Sequence, residues 1–281
     1  MPELPEVEVI RRDLAGVLPG ATIAAGEVLD SPNARRVLRR HPFPHELAAG
    51  LSGATVESVD RHGKYLIVRL DRPYALVVHL GMSGRLLVAG AADPLAPHTH
   101  VVLSLADGQE VRYVDPRTFG ELFLTDVAPD GLVPALGALG PDALDALPGP
   151  AAFAGLLTGR RTPVKARLMD QRVIAGLGNI YSDEALFRAR VRPLRLSGEV
   201  TRAESDRLRR SIHPVLQAAI DHRGTSTDDE QYRDAYGLIG DNRRYLMVYG
   251  REGEPCARCG TPIVRARWTN RSTHFCPSCQ K

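Results

Sequence analysis

Lysine is nearly absent from this chain. Of 36 basic residues among 281, only Lys64, Lys165 and Lys281 are lysine. Where arginine is the default cation, a lysine marks a place that needs a compact ammonium or a labile proton, which singles out Lys64 and Lys165. Cysteine is missing from the first 255 residues, and all four cysteines fall between 256 and 279. No apolar run is long enough to span a bilayer, and no basic-then-apolar signal segment opens the sequence. These absences predict a cytoplasmic protein with no membrane partner.

What is present is ordinary in amount and uneven in arrangement. The chain is 43% hydrophobic and 25% charged, as expected of a globular protein, and its length suits two domains with a small appendage. The net charge of +3 hides an asymmetry. Residues 1–150 hold 13 basic against 19 acidic residues, a net −6, and residues 151–281 hold 23 against 14, a net +9. A basic second half predicts a grip on a polyanion; the alternative is a solvated basic surface.

The periodicity changes along the chain. Val7, Ile10, Leu14, Val17 and Leu18 share one face of a helix expected over 5–18, with Pro5 at its start and Gly20 at its end. Period-two segments near 54–60, 64–70, 74–80, 85–88, 99–105, 109–114 and 119–124 predict an antiparallel sandwich or barrel, with Asp107-Gly108 as a hairpin turn. Residues 125–150 read as a linker. Helices are expected at 151–157, 163–170, 179–190 and 202–222, and 224–250 reads as an irregular, mobile loop. The expected domains are 1–130 (sheet), 131–240 (helical) and 241–281 (a small C-terminal appendage).

Four constellations carry chemistry. Cys256-x2-Cys259 and Cys276-x2-Cys279, sixteen residues apart, have the spacing of one tetrahedral zinc site, with two disulfides as the alternative. Four thiolates fill the coordination sphere, so this zinc is structural. Arg271 lies between the pairs, at the tip of an expected basic hairpin suited to phosphate. Lys165 precedes a loop, Gly176-Leu-Gly178, that leads to Asn179 at a helix start; there Asn179 serves either a phosphate or the helix as N-cap. Met82, Arg117 and Phe119 lie in loops of the sheet region. An apolar side chain, an arginine and an aromatic suit insertion into a base stack, although Met and Phe are more often core. At the start, Pro2 follows an initiator Met1 that is expected to be removed. That leaves a secondary amine whose reference pKa of about 7.7–8.0 makes it a usable nucleophile. Glu3 beside it is placed for proton transfer, and the positive end of the following helix disfavours the protonated amine. Pro and Glu also simply open helices.

In order along the chain, PELPEVE at 2–8, GKYL at 63–66, HLGMSGRL at 79–86, DPRTFG at 115–120, LMDQRVIAGLGNIYSDEALF at 168–187 and VYGREGEPC through the last cysteine resemble the formamidopyrimidine-DNA glycosylases of the Fpg/Nei group. The resemblance implies an α+β fold: an N-terminal antiparallel β-sandwich with an N-terminal helix, a helix–two-turn–helix domain and a zinc-ribbon β-hairpin. It implies a monomeric base-excision enzyme, glycosylase and abasic-site lyase, acting on double-stranded DNA with a damaged base or abasic site. In that family the residue matching Pro2 attacks C1′ to form a Schiff base. The residue matching Glu3 protonates the sugar ring oxygen, and that matching Glu6 supports the site. Lys64 matches a lysine that contacts phosphate or lesion and assists β-elimination, and Arg271 an arginine tied to δ-elimination. Met82, Arg117 and Phe119 match the residues that fill the gap left by the flipped base. Asn179 and Lys165 match phosphate ligands, His98 and Arg160 further DNA contacts, and Glu184 a supporting acid. Two departures stand out: the stretch after Gly224 lacks an expected arginine, and Thr118 occupies a position that is often basic. The Met82/Arg117/Phe119 set resembles the purine-lesion branch, so oxidised purines are the expected substrate and oxidised pyrimidines the alternative.

Overall fold

A computed structural model of the chain describes residues 2–30, 33–41, 43–159, 161–227 and 231–281. Arg160, one of the expected DNA contacts, lies outside them. The chain divides into two compact units, Met1–Gly137 with His222–Asp241, and Ala138–Asp221 with Asn242–Lys281.

The first unit begins with helix α1 (Leu4–Ala15). Its buried stripe of Val7, Ile10 and Leu14 meets the sheet core, and it ends at Gly16, four residues before the expected glycine. Strand β1 (Ile23–Val28) and short helices α2 (Ala34–Val37) and α3 (Pro44–Leu51) follow. Seven further strands are β2 (Val56–His62), β3 (Tyr65–Leu70), β4 (Tyr74–His79), β5 (Arg85–Gly90), β6 (Thr99–Leu105), β7 (Gln109–Val114) and β8 (Glu121–Asp126). They match the seven expected segments within a few residues. All pairings are antiparallel, in two four-stranded sheets ordered β1-β6-β7-β5 and β2-β3-β4-β8. Inward residues of both sheets, among them Val68, Leu76, Val78, Leu86, Val101, Leu103, Val111 and Leu122, form one core with Leu14 and Leu18. This is the expected sandwich, stabilised by alternating apolar faces.

The stretch 222–241 is irregular, as its composition predicts, yet it packs as part of this first unit. The Glu6 carboxylate accepts the Thr225 N–H at 2.8 Å, and Asp13 accepts from Arg223 at 2.7 Å and from the Ala235 N–H. The Val88 N–H donates to the Ala235 carbonyl. These partners lie about as far away in sequence as the chain allows, so local pattern assigns the stretch to its helical neighbour.

The second unit holds α4 (Pro150–Leu157), α5 (Val164–Met169), α6 (Asn179–Ala189), α7 (Arg202–Asp221) and a hairpin of β9 (Val264–Trp268) and β10 (Arg271–Phe275). Between α5 and α6, the Gln171 side chain donates to the Met169 and Leu177 carbonyls and accepts from the Gly176 N–H, which fixes the double turn. No helix among the described residues is long and apolar enough to cross a membrane.

Candidate DNA-processing site

Pro2 is buried and directly precedes α1, and Glu3 is the N-cap residue in extended conformation. The Glu3 N–H donates to Glu6 Oε2 at 2.8 Å, one half of a capping box. Glu6 is thereby a bridge, with one oxygen on the backbone beside Pro2 and the other on Thr225. The sequence pointed to Glu6 but not to its distant partner. Gly224, just before Thr225, has φ +83°, and an added Cβ would crowd Glu6 and Tyr232. A side chain there disturbs the segment that meets the Pro2 end of the chain.

Lys64 does not begin a strand. It is the second residue of the two-residue turn Gly63-Lys64 that joins β2 to β3 across the His62–Tyr65 pair, with Gly63 at φ +58°. Arg61 ties this turn to the first helix. Its guanidinium donates to the Gly63 carbonyl at 3.1 Å and to Glu8 of α1 at 3.1 Å, and its side chain is almost wholly buried. Glu8 also accepts from Arg11 and Arg12, and this arginine cluster holds its carboxyl below the ordinary range although burial acts the other way. A buried ion pair so placed acts as a spacer between the Pro2 helix and the Lys64 turn, and no sequence motif announced it. The positive field of Lys64 reaches His79, whose pKa falls to about 4, first through burial and then through Lys64, Arg39 and Arg40. His79 is therefore neutral at physiological pH and accepts the Gly81 N–H on Nδ1.

Met82, His98, Arg117 and Phe119 all project from loops of this unit and are exposed, so Met82 and Phe119 are not core residues. The Arg117 guanidinium lies 5.0 Å from the Phe119 ring centre, a cation–π contact that pre-forms the pair. Their exposure leaves both Met82 and Phe119 accessible to a ligand.

In the second unit, Asn179 is the first helical residue of α6 and Gly178 is the N-cap, so the Asn179 side chain does not cap the helix. Its Nδ2 donates to the Tyr249 hydroxyl at 3.4 Å, and its buried Oδ1 has no hydrogen-bond partner among the described residues. Lys165 is 4% exposed. Its ammonium meets Asp183 at 2.8 Å, the Ser272 carbonyl at 2.9 Å and the Thr273 hydroxyl at 3.3 Å. Asp183, wholly buried, also accepts the His274 N–H. Lys165 is thus fastened to the strand that carries Arg271, and its charge is spent inside the unit. Arg271 lines a cavity of about 340 Å³ with Lys165, Met169, Asp170 and Trp268.

Glu184 accepts three backbone N–H groups, from Met247, Val248 and Tyr249, at 2.8–3.0 Å. Burial pushes its pKa up and these bonds oppose the shift. Truncation in E184A orphans all three donors in a mostly buried turn. The expected cost is about 2–5 kcal/mol, read as a lower melting temperature for the second unit. An unchanged melting curve would show that the turn is held by other contacts.

The four cysteine sulfurs lie within 4.8 Å of one another. Cys256–Cys279, Cys259–Cys276 and Cys259–Cys279 are 3.9, 3.5 and 3.4 Å apart. A tetrahedral zinc with Zn–S bonds of about 2.3 Å requires sulfurs about 3.8 Å apart, so the residues fit the ion. Cys256, Cys259, Cys276 and Cys279 would hold it, leaving no position open for chemistry. Cys256, Cys276 and Cys279 pack with Phe187, Val248 and Ile263 in a small core, and Arg258 donates to the Phe187 carbonyl at 2.8 Å.

Family models match most of the chain in three pieces: the formamidopyrimidine-DNA glycosylase N-terminal domain over residues 1–122, its H2TH domain over 139–231, and a zinc finger found in FPG and IleRS over 253–281. Curated relatives named formamidopyrimidine-DNA glycosylase include that of Symbiobacterium thermophilum, 46% identical over all of this chain and 89% of the relative. The protein of the same name from Moorella thermoacetica is 48% identical over 95% of each. Among solved structures, a Lactococcus lactis FPG variant in complex with DNA containing Fapy-dG matches with a TM-score of 0.89 at 33% identity, covering both chains completely.

Proposed function

Because the chain belongs to the formamidopyrimidine-DNA glycosylase family, we propose that it excises oxidised bases, foremost oxidised purines, from double-stranded DNA and then cuts the strand at the resulting abasic site. The observation that carries the reading is the fixed N-terminus. Pro2 is held immediately before a capped helix whose Glu6 anchors both the adjoining backbone and the returning 222–241 segment. The Pro2 amine, freed by removal of Met1, attacks C1′ of the damaged nucleotide, and the bond from C1′ to the base breaks. Glu3 gives a proton to the ring oxygen as the sugar opens, leaving an iminium between Pro2 and C1′. Loss of a C2′ proton then expels the 3′ phosphate. Lys64 assists this β-elimination, and Arg271 the δ-elimination that expels the 5′ phosphate. Met82, Arg117 and Phe119 fill the gap left by the extruded base, because a base within the stack keeps its C1′ out of reach. Asn179 holds a phosphate, His98 is a further DNA contact, and Arg160 is assigned with it by its match alone. Lys165, through Asp183 and Ser272, keeps the Arg271 strand in place. The sheet unit carries the nucleophile and the β-elimination, and the helical unit with its zinc ribbon grips the duplex and supplies Arg271. Oxidised purines are favoured because the gap-filling set resembles the purine branch, while solved Lactococcus lactis FPG complexes hold either Fapy-dG or an oxidised pyrimidine. The enzyme acts as a monomer, as the family resemblance implies, and in the cytoplasm, as expected of a chain with no signal segment or apolar span in its sequence.

A lesion panel tests the reading. Duplexes carrying 8-oxoguanine, a formamidopyrimidine or an oxidised pyrimidine are incubated with the enzyme and borohydride. A covalent adduct is expected, strongest on the purine lesions, and without borohydride a gapped product with phosphate at both ends. Salt-sensitive binding with neither adduct nor nick, on every duplex, would instead make the chain a non-catalytic DNA-binding protein.

A further inference from the structure

The four exposed DNA-facing candidates of the sheet unit sit on three separate loops, and all three loops converge on one residue that no motif reading assigned a role. Asp115 is wholly buried. Its Oδ1 accepts the Ser83 hydroxyl at 2.6 Å and the Arg117 N–H at 3.3 Å. Its Oδ2 accepts the Gly120 N–H at 2.8 Å and the Tyr113 hydroxyl at 3.3 Å. Burial and the Asp115 charge hold the Tyr113 hydroxyl well above its ordinary pKa, so it stays a donor. The Asp115 backbone continues the pattern: its N–H donates to the His98 carbonyl at 3.0 Å, and its carbonyl bonds His100 Nε2 and accepts the Thr118 N–H.

Two further observations show that this hub does mechanical work. His98 (φ 66°) and Thr118 (φ 54°) both sit in the left-handed region although neither is glycine, and each bonds Asp115 through its backbone. Such strain persists only where the surroundings over-determine it. The Met82 and Phe119 loops also meet backbone to backbone. A Cβ on Gly81 would collide with the Phe119 carbonyl and the Gly120 nitrogen, and one on Gly120 with the Tyr113 hydroxyl. Arg39 adds an outer clasp on the Gly120 carbonyl at 2.7 Å.

We propose that Asp115 is a positioning residue that locks His98, Met82, Arg117 and Phe119 into a single rigid wedge, and so controls base extrusion without touching DNA. This rests on the reading of Met82, Arg117 and Phe119 as the gap-filling set, with His98 as a DNA contact held beside it. A carboxylate is required because all four incoming groups are donors. An amide would turn one oxygen into a donor facing donors. Extrusion is needed to remove a base from a duplex, whereas a single-stranded abasic site has no base to extrude.

The test compares wild type with D115N, S83A, M82A and F119A on two substrates, after thermal melts confirm folding. Single-turnover excision of 8-oxoguanine from a duplex is expected to slow at least about tenfold in D115N. S83A should slow in the same direction by less, and 2-aminopurine beside the lesion should unstack less in both. Borohydride trapping of D115N on a single-stranded abasic oligonucleotide should stay within about twofold of wild type. Equal losses on both substrates would make Asp115 a general structural residue and overturn the proposal. So would wild-type duplex excision by D115N while M82A and F119A are impaired. If M82A and F119A also excise at the wild-type rate, the wedge reading fails and this proposal falls with it. Should D115N not fold, S83A and Y113F are read by the same outcomes.

Discussion

Keeping Met1 on the chain should abolish the covalent adduct with lesion DNA and lower single-turnover excision by about three orders of magnitude or more. The reason is electronic as much as steric. With Met1 in place the Pro2 nitrogen is a tertiary amide, and its lone pair is delocalised into the Met1 carbonyl. No change of pH restores it, because there is no proton to remove. P2G is the milder case. It leaves a primary amine at the same position but removes the ring that fixes the backbone before Glu3, so a loss of about a hundredfold is expected. Both forms should fold. Pro2 lies outside α1, and the capping bond runs from the Glu3 N–H to Glu6, not through Pro2. Mass spectrometry of the N-terminus beside borohydride trapping checks the prediction. A Met1-retaining form that still traps at wild-type yield would move the nucleophile elsewhere, with Lys64 the next amine to test.

The sequence disclosed what is periodic or spaced, and hid what depends on distant partners. Strands such as β3, β4 and β6 show β-branched and apolar residues in short runs between turn residues, and they lie where the pattern puts them. The cysteine pairs were legible because ligand spacing along a chain is itself the geometry of a metal site. Strand β1 was not legible. Its Ile-Ala-Ala-Gly-Glu-Val carries little apolar surface, and as an edge strand it is held by backbone pairing with β6. Lys64 belongs to a turn and not to a strand because Gly63 adopts a positive φ, which the composition permits but does not dictate. The deeper misses are the partners of buried carboxylates. Glu6, Asp115, Asp183 and Glu184 each satisfy backbone or side-chain donors far off in sequence, where a buried charge is tolerated only if its partners are complete. A single sequence shows the acid but never the donors. The assignment of Lys165 to phosphate reflects the same blindness, since Asp183 and the Ser272 carbonyl that occupy its ammonium belong to other elements.

Removing zinc should eliminate DNA binding while the sheet unit stays folded. The ribbon has little else to hold it. Its apolar contacts are a handful of residues around Ile263 and Cys276, and its hairpin is two five-residue strands, too short to persist in water alone. Four thiols crowded within 4.8 Å also resist joint ionisation without a cation. Burial and the neighbouring sulfurs push Cys279 up to about 12, and only zinc relieves that repulsion. Loss of the metal therefore frees β9 and β10, and with them Arg271, and breaks the Lys165–Ser272 tie that joins the ribbon strand to α5. The sandwich core of the first unit includes no ribbon residue, so hydrogen-exchange protection across β2 to β8 should persist. Affinity for a lesion duplex should fall at least about a hundredfold on chelation and return on adding one equivalent of zinc. The C256S and C279S variants should reproduce the loss without chelator. Unchanged affinity in a metal-free sample would remove the ribbon from the DNA-binding surface and leave the helical unit to grip the duplex alone.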